Sequence, residues 1–322
     1  MKKIWIGLDI GGTRIKCGAI DGRGRVITRN VELTKIDQDL DNFERQLDKL
    51  VADLLVSAQG TLAGIGASIT GIVDPEIGCV YLPGKIRGLD RHKTVPYLRR
   101  RWRVPVVADN DGRLACFAEW RAGAGRRQEN LLVFTLGTGI GSGAVVEGQL
   151  LTDRHFLRGS QCGHAVIDPS GPRCLTGPKG TGESIASITA LVLDVRSALV
   201  RGLGTTLDDR PRDQIAFPEI AEAVRRGDPV VTDIFDRWLE RFGLVVLNAY
   251  YAYTPDLIVL AGGPTRAADL FLPKLARQLN ALAFRLPKSK PIPVQISSLG
   301  EDAGWIGAAL MARKHGTIKS AR

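Results

Sequence analysis

DIGGTRIK (residues 9–16) and TLGTGIGSG (135–143) stand at matching places in the two halves of the chain. Each follows an apolar run that reads as a strand, turns through glycines, and leads into a second run of β character. Around the first turn the expected strands are 3–9, 15–21 and 25–33, with DGRG as the hairpin signal between the last two. Helical spacing of Leu40, Phe43, Leu47, Leu50, Leu54 and Leu55 predicts a helix over 38–58. Strands at 62–69 and 105–108 follow, then the triplet DND (109–111) and a helix at 111–122. The second half repeats the opening with strands at 130–136 and 143–146. Helices at 184–202, 217–226 and 229–253 precede a strand at 256–260 that ends in AGG (261–263). A helix near 268–283, a strand at 292–297 and a helix at 303–314 finish the chain. This α/β pattern reads as an internal duplication, which is expected to set two glycine turns facing each other across a cleft.

Glycines in such turns allow positive φ and let successive backbone N–H groups approach an anion. Thr13, Thr138 and Lys16 beside them, and the third turn at Gly262 and Gly263, favour phosphate binding over plain hairpin geometry. Neither turn is a P-loop, because GxxxxGK[ST] is absent. TLGTGIGSG is not a dinucleotide fingerprint either: its glycines alternate at 137, 139, 141 and 143, and the turn runs into a strand, not a helix.

The bulk numbers fit this reading. A chain of 322 residues, 44% hydrophobic and 24% charged, is long for one core and suits two domains. No apolar run reaches the roughly 18 residues of a membrane span, and MKKIWIGLDIGG meets glycine and aspartate too early for a signal peptide. The expected location is the cytoplasm. Five cysteines, an odd number, argue for reduced thiols over a disulfide framework. A net charge of +10 raises the question of a nucleic-acid partner. The densest basic run, RRRWR at 99–103, lies at the end of an expected helix beginning near Val95, where cations suit the helix dipole. No nucleic-acid or membrane partner is expected.

DIGGTRIK, ITGIVD (69–74), DND, LGTGIGSG, GH (163–164) and AGG occur in order over nearly the whole chain. Together they closely resemble the ROK family of bacterial sugar kinases and repressors. That resemblance implies two ribonuclease-H-like domains of the actin-like ATPase fold, flanking a nucleotide and sugar cleft. The expected division is 1–112 and 113–302, with a C-terminal helix at about 303–315 packing back on the first domain. The implied activity is ATP-dependent phosphorylation of a hexose or N-acetylhexosamine hydroxyl, with Mg²⁺ carried on ATP, by a homodimer.

Under the resemblance, Asp111 is the general base. The chemistry agrees, since transfer of a phosphoryl group to a hydroxyl needs a carboxylate to take the proton. DND before a helix also fits N-cap service by Asp111, or in part by Asp109. Asp9 would orient the waters of Mg²⁺. Gly11, Gly12, Thr13, Lys16, Gly137, Thr138 and Gly139 would hold phosphates, and Gly262 and Gly263 the adenosine. The sugar would meet Gly71, Asn110, Asp111, Gln161, His164 and Glu183. Two departures are expected to lie near it: Gln161 replaces the family's usual glutamate, and Arg113 an asparagine.

RCLTGPKGTGE (173–183) departs further. Family kinases carry CxCGxxGCxE here, three cysteines that bind zinc with the histidine. This chain keeps Cys174, the glycines and Glu183, and has Thr176 and Thr181 for the other two cysteines. Threonine hydroxyls are poor zinc ligands, so no structural zinc is expected. Cys162, with Asp168, is the alternative ligand source, and it leaves the set incomplete. A regulator of the same family would need a DNA-binding segment before the first glycine turn, and eight residues precede Asp9. A sugar sensor of low turnover is the other alternative.

Overall fold

In the computed structural model, residues 2–35, 40–74, 78–81, 88–152, 160–284 and 290–319 are described, with side chains to 315. Residues 38 and 39 of the expected first helix lie outside them. The chain opens with β1 (Lys3–Ile10), β2 (Arg14–Asp21) and β3 (Val26–Leu33), then α1 (Leu40–Ala58) and β4 (Thr61–Ile69). A small hairpin of β5 (Ile72–Val73) and β6 (Val80–Tyr81) precedes α2 (Thr94–Trp102), β7 (Val106–Asn110) and α3 (Asp111–Ala122). The second half has β8 (Leu131–Leu136), β9 (Ile140–Val146), β10 (Gln149–Leu150), α4 (Gly182–Ala186), α5 (Ile188–Val200) and α6 (Phe217–Arg225). It ends with α7 (Pro229–Tyr253), β11 (Leu257–Ala261), α8 (Ala268–Leu282), β12 (Val294–Ile296) and α9 (Ala303–Lys319).

The duplication is visible in the sheets. One has the order β3-β2-β1-β4-β7 and the other β10-β9-β8-β11-β12. In both, three antiparallel strands pass into two parallel ones. The first glycine turn closes the Ile10–Ile15 pair, and the second closes Leu136–Ile140. Both turns therefore sit at the same end of equivalent strands. The hairpin between β2 and β3 is tied by the Asp21 carboxylate, which accepts from the N–H groups of Arg23 and Arg25 at 2.8 and 2.9 Å.

Burial explains why the helices lie where they do. Phe43, Leu47, Leu50, Val51 and Leu54 form one face of α1 and are buried against the first sheet, each contributing roughly 1.5–3 kcal/mol. In the second half Trp238 of α7 sits among Phe235, Phe242 and Phe271 and donates its indole N–H to Ala186 O at 2.8 Å. Helix α9 returns to the first sheet. Gly7 and Gly66 let its backbone reach the strands: a Cβ on either would come within 1.9 Å of a carbonyl oxygen, that of Trp305 or Ala308.

Two expectations need correction. The single helix expected at 184–202 is two, because Ser187 is extended (φ −74°, ψ 168°) and its hydroxyl caps α5 by accepting from Ala190 N–H. The N-cap of α3 is neither Asp111 nor Asp109 but Asn110, whose side-chain oxygen accepts from Gly112 and Arg113 N–H at 3.0 and 3.3 Å. The basic run is tied into the protein: Arg101 and Trp102 both donate to Asp48, at 2.8 and 3.1 Å. Among the described residues no helix is long and apolar enough to cross a membrane.

Candidate active site

The strand ends and glycine turns enclose a cleft of about 1140 Å³ between the two sheets. Asp9 lines it from the end of β1, Gly11, Gly12, Thr13 and Lys16 from the first turn, Thr138 from the second, and Gly262 and Gly263 from the third. Positive φ is used less than expected. Of these glycines only Gly262 adopts it, at 103°, where a Cβ would also meet Leu136 O at 2.1 Å. A Cβ on Gly137 or Gly263 would meet nothing within 4 Å. Those two glycines leave room for a ligand.

Two carboxylates shape the floor and mouth of this cleft. Ser68 donates to Asp9 at 2.6 Å, and Gly304 faces Asp9 so closely that a Cβ there would lie 2.6 Å from its carboxyl carbon. Burial pushes the Asp9 pKa up to about 6, with the nearby Asp111 charge adding to it, against the Ser68 hydrogen bond and the Lys16 charge. Gly304 makes room for the carboxylate itself, and a carboxylate so short of positive charge at the edge of the cleft fits a hydrated divalent cation. At the mouth, Glu301 lies 3.3 Å from Lys16 Nζ and 2.6 Å from Arg266. It links the first glycine hairpin to the segment after the third turn.

A second cavity, of about 240 Å³, opens from the cleft. Gly71, Asn110, Asp111, Gln161, His164 and Glu183 line it together with Gly137 and Gly139. Asp111, Thr70, Thr135 and Thr138 border both spaces. Asp111 Oδ1 accepts from Gly112 N–H at 2.8 Å and from the Asn110 amide at 3.0 Å, while Oδ2 accepts from the Thr70 hydroxyl at 3.1 Å. The Asn110 amide also donates to Gly71 O at 2.7 Å. With its oxygen spent on the helix cap, Asn110 orients Asp111 and the Gly71 backbone. Glu183, buried in the first turn of α4, accepts from Ile140 N–H at 3.1 Å.

Arg113 does not border either space. Its guanidinium is buried against Asp109, at 2.8 Å from Nε. The expected effect of Arg113 on the sugar has no direct contact behind it here. Residues missed from sequence are Thr70, Ser68 and Glu301. Thr70 stands beside Gly71 in the quoted ITGIVD, and that adjacency was its one signal.

Loop 173–183 is a tight hairpin. Cys174 N–H donates to Pro178 O at 2.7 Å, and Gly180, at φ 63°, would put a Cβ 1.4 Å from Asp168 O. His164, Cys174 and Glu183 bring one potential ligand atom each to within 4.8 Å of one another. The third group beside His164 and Cys174 is thus Glu183, not Cys162, whose thiol bonds with Ser142 and Tyr253 instead. Asp168 is occupied with Ser170, at 2.6 Å. Among the described residues these three groups, with Glu183 already accepting from Ile140, do not make the closed tetrahedral set of a structural zinc. The threonines take other work. The Thr176 hydroxyl lies 3.4 Å from Cys174 Sγ and 3.5 Å from His164 Nδ1, and Thr181 caps α4. Burial acts to raise the Cys174 thiol, but hydrogen bonds from Thr176 and Thr181 outweigh it and hold the thiol below its ordinary pKa.

The ROK family profile matches residues 5–315. The chain is 28% identical over 313 residues to a glucokinase of Thermotoga maritima, covering 96% of this chain and 97% of that protein. It is 26% identical to an N-acetylmannosamine kinase of Yersinia pseudotuberculosis, with 96% and 98% covered. A crystal structure of a ROK family glucokinase from Streptomyces griseus, in complex with glucose and AMPPNP, superposes with a TM-score of 0.82 at 28% identity, covering 97% of this chain and 99% of that one. The duplicated sheets, the facing glycine turns and these matches agree: the chain belongs to the ROK family.

Proposed function

We propose that this protein transfers the terminal phosphoryl group of ATP to a hydroxyl of a hexose or N-acetylhexosamine, with Asp111 as general base. The observation that carries the reading is the position of Asp111. It is the carboxylate shared by the glycine-lined cleft and the smaller polar cavity, so one group reaches both a phosphate donor and an alcohol.

In this reading the N–H groups of the first two glycine turns, with Thr13, Thr138 and Lys16, hold the phosphates, and at the third turn, shaped by Gly262, Gly263 leaves space for the adenosine. Asp9 would hold Mg²⁺ through its waters, and the ion would neutralise phosphate charge. Gln161, His164 and Glu183 orient the sugar so that one hydroxyl points at Asp111. Asn110, Gly112 and Thr70 fix the Asp111 carboxylate, which takes the hydroxyl proton as the oxygen attacks. The relatives named for glucose and for N-acetylmannosamine support the acceptor class.

The same reading divides the chain at 112/113 and 302/303 into two lobes with α9 completing the first. It assigns a cytoplasmic homodimer with no nucleic-acid or membrane partner and no structural zinc. An ADP-release assay over hexoses and N-acetylhexosamines tests the activity. Turnover of at least one of them is expected. Sugar binding without ADP release would favour a sensor.

A further inference from the structure

Three spaces lie in a row across the molecule, each joined to the next by shared walls. Asp111 and Thr70 border the phosphate cleft and the sugar cavity. At its far end, Ile72, Gln161, His164, Leu175 and Thr176 border both the sugar cavity and a third space of about 880 Å³. Asp111 does not reach this third space, and Cys162, Tyr253 and Ser160 do not reach the sugar cavity. A ring whose reacting hydroxyl points at Asp111 therefore directs its opposite end past His164.

The third space has the makeup of a ligand site: apolar walls with a few polar groups. Val245 and Ala249, both buried on α7, form an apolar wall, joined by Leu175 and Pro178 from the 173–183 hairpin. Tyr253 contributes an aromatic face and Asn248 an amide. Behind this wall the Ser160 hydroxyl is shielded from solvent and, among the described residues, finds no hydrogen-bond partner. Its carbonyl, by contrast, accepts from Ser142. Ser160 also holds a left-handed φ of 61°, a backbone state uncommon for residues other than glycine.

We propose that this third space is an acceptor subsite for a second sugar ring, so that the protein phosphorylates a glycoside or disaccharide at the ring held near Asp111. The proposal rests on the kinase reading and narrows its substrate class. The space is more than three times the volume of the sugar cavity, about 880 against 240 Å³, which is far more than an acetyl group needs. Apolar walls with an aromatic face and scattered donors suit the flat, hydroxyl-edged surface of a pyranose. The exposed Asn248 amide donates to a hydroxyl of the second ring, and Tyr253 packs on its face.

The test pairs glucose with a panel of glucosyl disaccharides differing in linkage, read by ADP release and by calorimetric binding on the same protein. At least one disaccharide is expected to exceed glucose in kcat/KM. Ala252, exposed on α7 at the wall of the third space, lies outside the sugar cavity. Ala252→Trp is expected to lower kcat/KM for that disaccharide about tenfold or more, leaving glucose unchanged. Asn248→Ala takes the amide from the wall of the third space and should cost the disaccharide about fivefold. Glucose turnover with no disaccharide bound or phosphorylated would overturn the subsite and spare the kinase. Disaccharide binding lost in Ala252→Trp, with no ADP released from any sugar, would sink the kinase reading and keep the subsite. Disaccharide turnover indifferent to both substitutions would overturn the proposal, as would a failure of every sugar to bind.

Discussion

The Thr70 hydroxyl donates to Asp111 Oδ2 at 3.1 Å, joining the end of β4 to the first turn of α3. The other carboxylate oxygen is held by Gly112 N–H and the Asn110 amide. The carboxylate is thus fixed from two elements at the boundary between the phosphate cleft and the sugar cavity. A base positioned this way loses little entropy on reaction, and its rotation is already restricted.

Asp111→Asn is expected to lower turnover ~10²–10⁴-fold, with ATP affinity hardly changed. The amide fills the same space but cannot take the proton. Steady-state kinetics and nucleotide titration read the two effects separately. Turnover within a few-fold of the parent protein would remove Asp111 from the base role.

Asp9 gives a pH signature in the ligand-free protein. Its folded pKa, about 6, lies above the ordinary carboxylate value, so the folded state binds this proton more tightly than the unfolded chain. Stability from this group is therefore greatest below about pH 4, falls as pH rises toward 6, and stays low above it. Asp9→Asn should leave melting unchanged near pH 4 and raise stability by about 2 kcal/mol above pH 6, after discounting for partial exposure. Thermal melts of both proteins from pH 4 to 8 check this. A difference that does not vary with pH would contradict the assignment.

The hairpin at 173–183 is expected to serve the sugar without zinc. Elemental analysis of the purified protein should find little zinc, and a content approaching about one per chain would overturn that expectation. Glu183→Ala should weaken sugar binding roughly 10- to 100-fold, the usual scale for losing a hydrogen bond to a charged group. Calorimetry with the sugar that gives turnover measures it. Unchanged affinity would detach Glu183 from the substrate.

Glu301 holds Lys16 and Arg266 together at the cleft mouth, beside Gly300 at φ 56°. A triphosphate competes for the same cations, and closure about residues 110–113 and 300–303 is expected when nucleotide and sugar bind together. Solution scattering should show a smaller radius of gyration with both a non-hydrolysable ATP analogue and sugar. Identical radii with and without them would count against closure.

Local pattern located most of the strands and helices, and the resemblance of the ordered motifs supplied the architecture. Alternating and helical apolar spacing is set by neighbours a few residues apart, so the strands expected at 3–9 and 130–136 and the helices at 111–122 and 229–253 fall within a residue of those in the structure. The glycine turns were legible for the same reason, since each is one short stretch between two strands. Asn110 as cap, Arg113 turned to Asp109, and Thr70 on Asp111 were not. Each depends on where a polar side chain finds its partner, and a DND triplet offers three candidates for one cap. The split at Ser187 has the same origin, a hydroxyl choosing a backbone N–H over solvent. The row of three spaces was further out of reach. Its walls come from β5, the Cys162–His164 turn, the 173–183 hairpin and α7, elements up to 180 residues apart, and only their packing brings Ser160 and Tyr253 beyond His164.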